Sequence, residues 1–203
     1  MAAHPGTFVP LEGGGAAVAL DEVEISILRS LAVQLLELIG PGDEPKAGED
    51  PLAALFAEGP SEPPSDPALA RLFPDAYGAG PGGDEVGDPQ ELRDWSAEFR
   101  RFTESDLRTR KREDVLAVVR SLDALTPGGD GAAVLELRGE LPQRWLGALN
   151  DLRLTIASRL EIAEDDEGAR LFRLPDSDPR KPMVMAYLWL GGLQETLVET
   201  LMG

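Results

Sequence analysis

The sequence predicts a mainly α fold: a single helical domain over 1–203, with about four main helices and a small β-hairpin or sheet. Three observations lead there. Apolar residues recur at spacings of three and four over 22–39, 90–125, 142–162 and 179–202. Start signals precede these runs: Asp21 with Glu24, Asp88-Pro89, Pro142 and Asp178-Pro179. Strand-like apolar runs are few, short and set beside glycine turns.

Taken in order, Phe8-Val9 and Ala17-Val18-Ala19-Leu20 flank Leu11-Glu12 and the Gly13-Gly14-Gly15 break, which predicts a hairpin. Asp21 and Glu24 have the spacing of a capping box. Ile25, Leu28, Leu31, Leu35 and Ile39 follow as a helical stripe, and Gly40-Pro41 stops it. Val23, Ile27, Leu36 and Leu38 widen the apolar surface, which predicts a central helix packed on more than one side.

Residues 40–89 break this pattern. They hold ten of the 17 prolines and nine glycines, and eleven acids against only Lys46 and Arg71. That composition predicts a partly disordered insertion, most mobile at 41–49, 58–65 and 78–87. Two apolar islands, Leu52-Leu55-Phe56 and Leu69-Leu72-Phe73, predict short helical turns docked on the core.

Asp88 caps the next helix, with Pro89 at its first position. Leu92, Trp95, Phe99 and Phe102 read as its apolar face, continued by Leu107, Val115, Val118, Val119 and Leu122. Thr103-Glu104-Ser105-Asp106 repeats a start signal inside the run, so a bend or break is expected near 103–106. Val134-Leu135-Glu136-Leu137 reads as a late strand after the Pro127-Gly128-Gly129 turn. Trp145, Leu149, Leu152, Ile156 and Leu160 form one further stripe; Val184, Leu188, Leu193, Leu197 and Leu201 form another, interrupted by Gly191-Gly192. Those glycines either admit a close helix–helix approach or only cost stability, roughly 1 kcal/mol each. Trp145, Tyr187 and Trp189 read as core or helix-seam residues.

The same residues exclude much chemistry. The chain has no cysteine, and its one histidine, His4, lies near the N-terminus, so thiol, zinc and histidine catalysis have no basis. No Gly-x-Ser-x-Gly elbow and no phosphate-binding Gly-rich loop with a following Lys-Ser/Thr is present. Catalytic residues, cofactor and metal are therefore expected to be none. The acidic run Glu161, Glu164, Asp165, Asp166 and Glu167 is the best cation candidate, but it lacks an EF-hand's ligand spacing and reads as a solvated helix end. Asn150-Asp151-Leu152-Arg153 is either a buried polar network or part of a partner surface. No apolar run approaches the roughly 20 residues of a membrane span, and no signal peptide opens the chain, so a cytoplasmic protein is expected.

The net charge of −18 makes one segment stand out. Residues 93–112 hold seven of the 19 cations against four acids. Arg101, Arg108, Arg110, Lys111 and Arg112 are the candidate contacts for an anionic partner surface. The competing reading pairs them with the chain's own acids. Direct DNA binding is disfavoured, because so acidic a body repels phosphate.

Three segments then carry a resemblance: Phe102-Thr103-Glu104-Ser105-Asp106-Leu107-Arg108, Trp145-Leu146-Gly147-Ala148-Leu149-Asn150-Asp151-Leu152-Arg153-Leu154, and Tyr187-Leu188-Trp189-Leu190-Gly191-Gly192-Leu193-Gln194. Together they resemble an actinobacterial family of AosR-like oxidative-stress transcriptional regulators, also described as a domain of unknown function. An excess of Arg over Lys, 16 to 3, also fits a high-GC genome. The resemblance implies a non-enzymatic regulator working through protein contacts with an alternative sigma factor and RNA polymerase. The alternative it leaves is an adaptor or assembly factor for Clp proteolysis or for sulfur and cysteine metabolism. Redox sensing of the kind it implies would use a pair of N-terminal cysteines, and this chain has none.

Overall fold

The computed structural model describes residues 6–41, 59–78, 88–128, 131–162 and 173–203. The chain opens with β1 (Val9–Pro10) and β2 (Ala16–Asp21), paired antiparallel with Val9 opposite Ala17. Gly15 makes the turn possible: its φ is +102°, and a Cβ there would lie 2.2 Å from the Leu137 carbonyl oxygen. β3 (Ala132–Leu137) joins the other edge of β2, Val18 opposite Leu135. β2 is thus the central strand of a three-stranded antiparallel sheet. Ala133, Leu135 and Leu137 alternate inward along β3, and Val134 and Glu136 point out.

β2 runs directly into α1 (Glu22–Ile39). Its capping box is complete: Asp21 Oδ1 accepts from Glu24 N at 2.8 Å, and Asp21 N donates to Glu24 Oε2 at 2.9 Å. The helix buries one line, Leu28, Ala32, Leu35 and Ile39. Ile25, Leu31, Leu36 and Leu38 pack against the core beside that line, and Val23 and Ile27 stay exposed. Gly40, at φ +81°, ends it.

The island at Leu69-Leu72-Phe73 is α2 (Pro67–Leu72), capped by Asp66 and placing Ala68, Leu72 and Phe73 in the core. The island at Leu52-Leu55-Phe56 lies outside the described residues, as do nearly all of 41–49 and 78–87. α3 (Pro89–Asp123) follows as one continuous helix of 35 residues. Of the bend or break expected near 103–106, no break occurs. Thr103 Oγ1 donates to the Phe99 carbonyl at 2.8 Å instead of capping, and Glu104 is held between arginines one turn before and one turn after it.

α4 (Leu141–Arg159) packs against α2, α3 and the last helix, α5 (Lys181–Met202). α4 ends earlier than the apolar pattern: Glu161 takes φ +58°, and the Ile162 N–H returns to the Ala157 carbonyl. Asp178-Pro179 is a turn rather than the first helical position, because Asp178 Oδ1 accepts from Arg180 N and its carbonyl accepts from Lys181 N. Trp145 sits at the junction of sheet and helices, fully buried, edge-on to Phe8 at 6.3 Å. Phe8 N donates to Thr196 Oγ1, and the Phe8 carbonyl accepts from Thr200 Oγ1, which ties the first strand to α5. One apolar cluster runs through the sheet and all five helices among the described residues. No described helix is long and apolar enough to cross a membrane.

Trp145→Ala should cost about 3–5 kcal/mol, the range for emptying a large aromatic site. Urea unfolding followed by circular dichroism measures it. Asp21→Ala should cost about 1 kcal/mol through loss of the cap.

Candidate functional site

The first half of α3 inverts the expected amphipathic pattern. The side facing the body carries Ser96, Arg100 and Glu104, each 4% exposed or less. Trp95, Phe99 and Phe102 face outward and are 51%, 47% and 68% exposed. The aromatic stripe that read as a core face is therefore a surface face. The polar run Ser96, Arg100, Glu104, Arg108, spaced by four with alternating charge, was the signal for this.

The inner face works as a set of clamps. Arg100 pairs with Glu104 and, at 2.8 Å, with Asp75; it also donates to the Phe73 carbonyl at 3.1 Å. Burial lowers the basicity of Arg100, but its hydrogen bonds to Asp75 and Glu104 leave it above the ordinary arginine value. Arg108 takes the other Glu104 oxygen at 2.7 Å, lies 4.4 Å over the Phe73 ring, and donates to the Ile39 carbonyl. Arg112 donates to the carbonyls of Leu36 and Gly40 at the C-terminal end of α1. Ser96 Oγ both donates to the Tyr77 carbonyl at 2.8 Å and accepts from Tyr77 N at 3.0 Å. These contacts tie the segment after α2 and the end of α1 to a single helix.

The five cations singled out in the sequence divide accordingly. Arg108 and Arg112 are bound to α1 carbonyls, and Lys111 Nζ bonds Asp151 Oδ1 at 2.6 Å across to α4. Arg101 is half-buried, and its carbonyl accepts from Gly59 N at 2.9 Å. Arg110 is exposed, at the edge of a cleft where Arg144 faces Glu113 and Asp114. Burial raises Asp114 above its ordinary value, with Arg144 and Arg110 opposing.

The Asn150–Arg153 segment is largely internal. Asp151 is buried against Lys111, and Arg153 donates to Gln194 Oε1 at 2.7 Å and stacks over Tyr187. A Cβ at Gly191 would meet the Arg153 guanidinium at an ordinary contact distance of 3.5 Å and nothing crowds Gly192, so neither glycine is required for the approach of α4 and α5. Of the acidic run, only Glu161 is described; Glu164, Asp165, Asp166 and Glu167 lie outside the described residues.

Outside the clamps, Tyr77 stands perpendicular to both Trp95 and Phe99, each ring pair 6.1 Å between centroids. With Glu98 and Phe102 they line a shallow groove of about 440 Å³.

Fold and site thus define an acidic, mainly α protein whose long helix is ion-paired inward and aromatic outward. The model of a domain of unknown function (DUF2017) matches residues 5–201, and the chain belongs to that family. It is 32% identical over 185 residues to proteins named oxidative stress regulator AosR from Mycobacterium tuberculosis and Mycobacterium bovis, covering 89% of this chain and 79% of theirs. A putative oxidative stress regulator AosR from Mycobacterium leprae is 34% identical over 184 residues, covering 88% of this chain and 79% of that one. No solved structure matches the chain.

Three outcomes test this geometry. Glu104→Ala should cost about 3–5 kcal/mol, because it leaves Arg100 and Arg108 with an unmatched buried charge; chemical denaturation reads this. Arg108→Glu and Arg112→Glu should lower the melting temperature, and Arg110→Glu should stay within about 0.5 kcal/mol of the parent. The third outcome concerns pH. Burial pushes the Asp151 carboxyl up, and Lys111 only partly offsets it, so the folded protein holds that proton more tightly than the unfolded chain. Asp151 therefore contributes stability that falls as pH rises from about 4 through its raised value. Asp66 behaves oppositely: Arg159 and the α2 amides lower it, so its contribution is present above the ordinary value and lost as pH falls. In melting curves taken across this range, Asp151→Asn should flatten the falling limb and leave the acid limb unchanged.

Proposed function

We propose that this chain is a non-enzymatic regulator of the oxidative-stress response, acting in the cytoplasm through protein contacts with a sigma factor or RNA polymerase. The carrying observation is its relation, over 89% of its length, to proteins named oxidative stress regulators. The geometry supports a contact role over a chemical one. The buried ionisable groups are engaged with each other, Glu104 between Arg100 and Arg108 and Asp151 with Lys111, holding helices in place rather than converging on an open site. Among the described residues, no group of three or more His, Cys, Asp or Glu side chains is placed to hold a metal ion. These 203 residues contain no cysteine, so a redox signal enters through a partner and not through a thiol of this chain. We place the contact on the solvent side of α3, with Arg110 as its exposed cation; Arg101 projects from another side of the helix, and Arg108, Lys111 and Arg112 support it from behind.

Deleting the gene in its source organism should sensitise cells to oxidant and alter transcription of stress genes. Affinity capture followed by mass spectrometry should return sigma factor or polymerase subunits. Recovery of Clp components or cysteine-synthesis proteins, with transcription unchanged, would replace this function with an adaptor role.

A further inference from the structure

We propose that the aromatic stripe on the outer face of α3 docks a basic amphipathic helix of a partner protein. This rests on the reading of the chain as a protein-contact regulator and names the contact. The chain has only eleven aromatic residues (three Trp, two Tyr, six Phe). Four of them, Tyr77, Trp95, Phe99 and Phe102, share this surface and are 45%, 51%, 47% and 68% exposed. A contiguous aromatic patch left in water marks a contact surface more than a single exposed side chain does.

The patch is also held in shape. Ser96 fixes the backbone of Tyr77 with two hydrogen bonds, and Arg100 fixes the two residues Phe73 and Asp75 just before it. Tyr77 then stands nearly at right angles to Trp95 and Phe99, and the three rings line the groove. A surface ordered before binding loses less entropy when it binds.

Charge selects the occupant. On the helical spacing of three and four, the acids Glu91, Glu98 and Asp106 fall on the same face as Trp95, Phe99 and Phe102. Arg93, Arg100 and Arg101 project from the other sides of the helix, so between 88 and 106 the stripe carries carboxylates and no cation. Apolar side chains of the partner fit between the rings, and its lysines or arginines meet the flanking carboxylates and the ring faces. The body, at −18, repels an acidic segment from the same place. From Glu91 to Asp106 the stripe runs about 22 Å, the length of one helix of four turns, which favours a helix over an extended peptide.

The test places the photocrosslinking residue p-benzoylphenylalanine at Phe102 of the full chain, and separately at Val134, an exposed position on β3. Both are expressed in the source organism alongside a deletion strain. The expected result is an adduct at 102, mapped to an amphipathic, Lys/Arg-bearing helix of a partner. Its yield should fall about fivefold or more in the Glu91→Lys/Glu98→Lys variant, with the melting temperature unchanged. Adducts at 102 to a second copy of this chain, or to a segment without Lys or Arg, would overturn the proposal. A transcription protein captured only at 134 would overturn the proposed surface and leave the regulatory role standing. No adduct at either position, with normal oxidant survival of the deletion strain, would remove the regulatory role itself.

Discussion

The carboxylate of Glu104, buried between Arg100 and Arg108, organises more of this molecule than its size suggests. Three ionic groups at successive turns of α3 cannot be taken from water singly, because each would carry a desolvation cost of several kcal/mol. Together, with the Phe73 and Ile39 carbonyls and Asp75, they satisfy most of one another's hydrogen bonds; Arg100 Nε is left without a partner. The arrangement demands that α3 be continuous through 103–106, since the pairs span i to i+4 across that stretch. It also fixes which side of the helix faces the body, and so sends the aromatics outward.

The apolar core accepts this because it is complete elsewhere. The sheet delivers Ala16, Val18, Leu20, Leu135 and Leu137 to the cluster that holds Trp145, and α1, α4 and α5 supply much of the remainder. The second half of α3 rejoins that core through Val115, Val118 and Leu122. A helix 35 residues long thus changes character along its length: ion-paired where it meets loop and α2, apolar where it meets the bundle. Lys111 and Asp151 mark the change. They form a buried pair just before Val115, where α3 crosses α4.

The net charge of −18 has a structural reading in this light. Several of the scarce cations are used as ties between distant parts of the chain: Arg29 to Asp123, Arg159 to Asp66, Arg112 to the end of α1. The exposed ion pairs among them, Arg29 with Asp123 and Arg159 with Asp66, contribute little individually. The buried ones differ, because removing one partner strands the other. The cationic segment that looked like an anion-binding face in the sequence is mostly the inner surface of a helix.

What the sequence by itself determined follows from local rules. Asp21 with Glu24, the glycine turn, Asp88-Pro89 and the stripe through Trp145, Leu149, Leu152 and Ile156 each specify an element through contacts a few residues apart, and each element forms. The order β1-β2-β3 and the burial of Asp151 were decided by tertiary contacts. So was the most consequential feature, the direction in which Trp95, Phe99 and Phe102 point. Helical periodicity gives two faces of α3 over this stretch, one aromatic and one ionic, and hydrophobicity alone assigns the aromatic one to the core. That assignment reverses because Phe73, Asp75 and Ile39, distant in sequence, supply the carbonyls, carboxylate and ring that make burial of Arg100, Glu104 and Arg108 affordable. The cost of burying a charge depends on its partners, and partners from elsewhere in the chain exist only once it has folded.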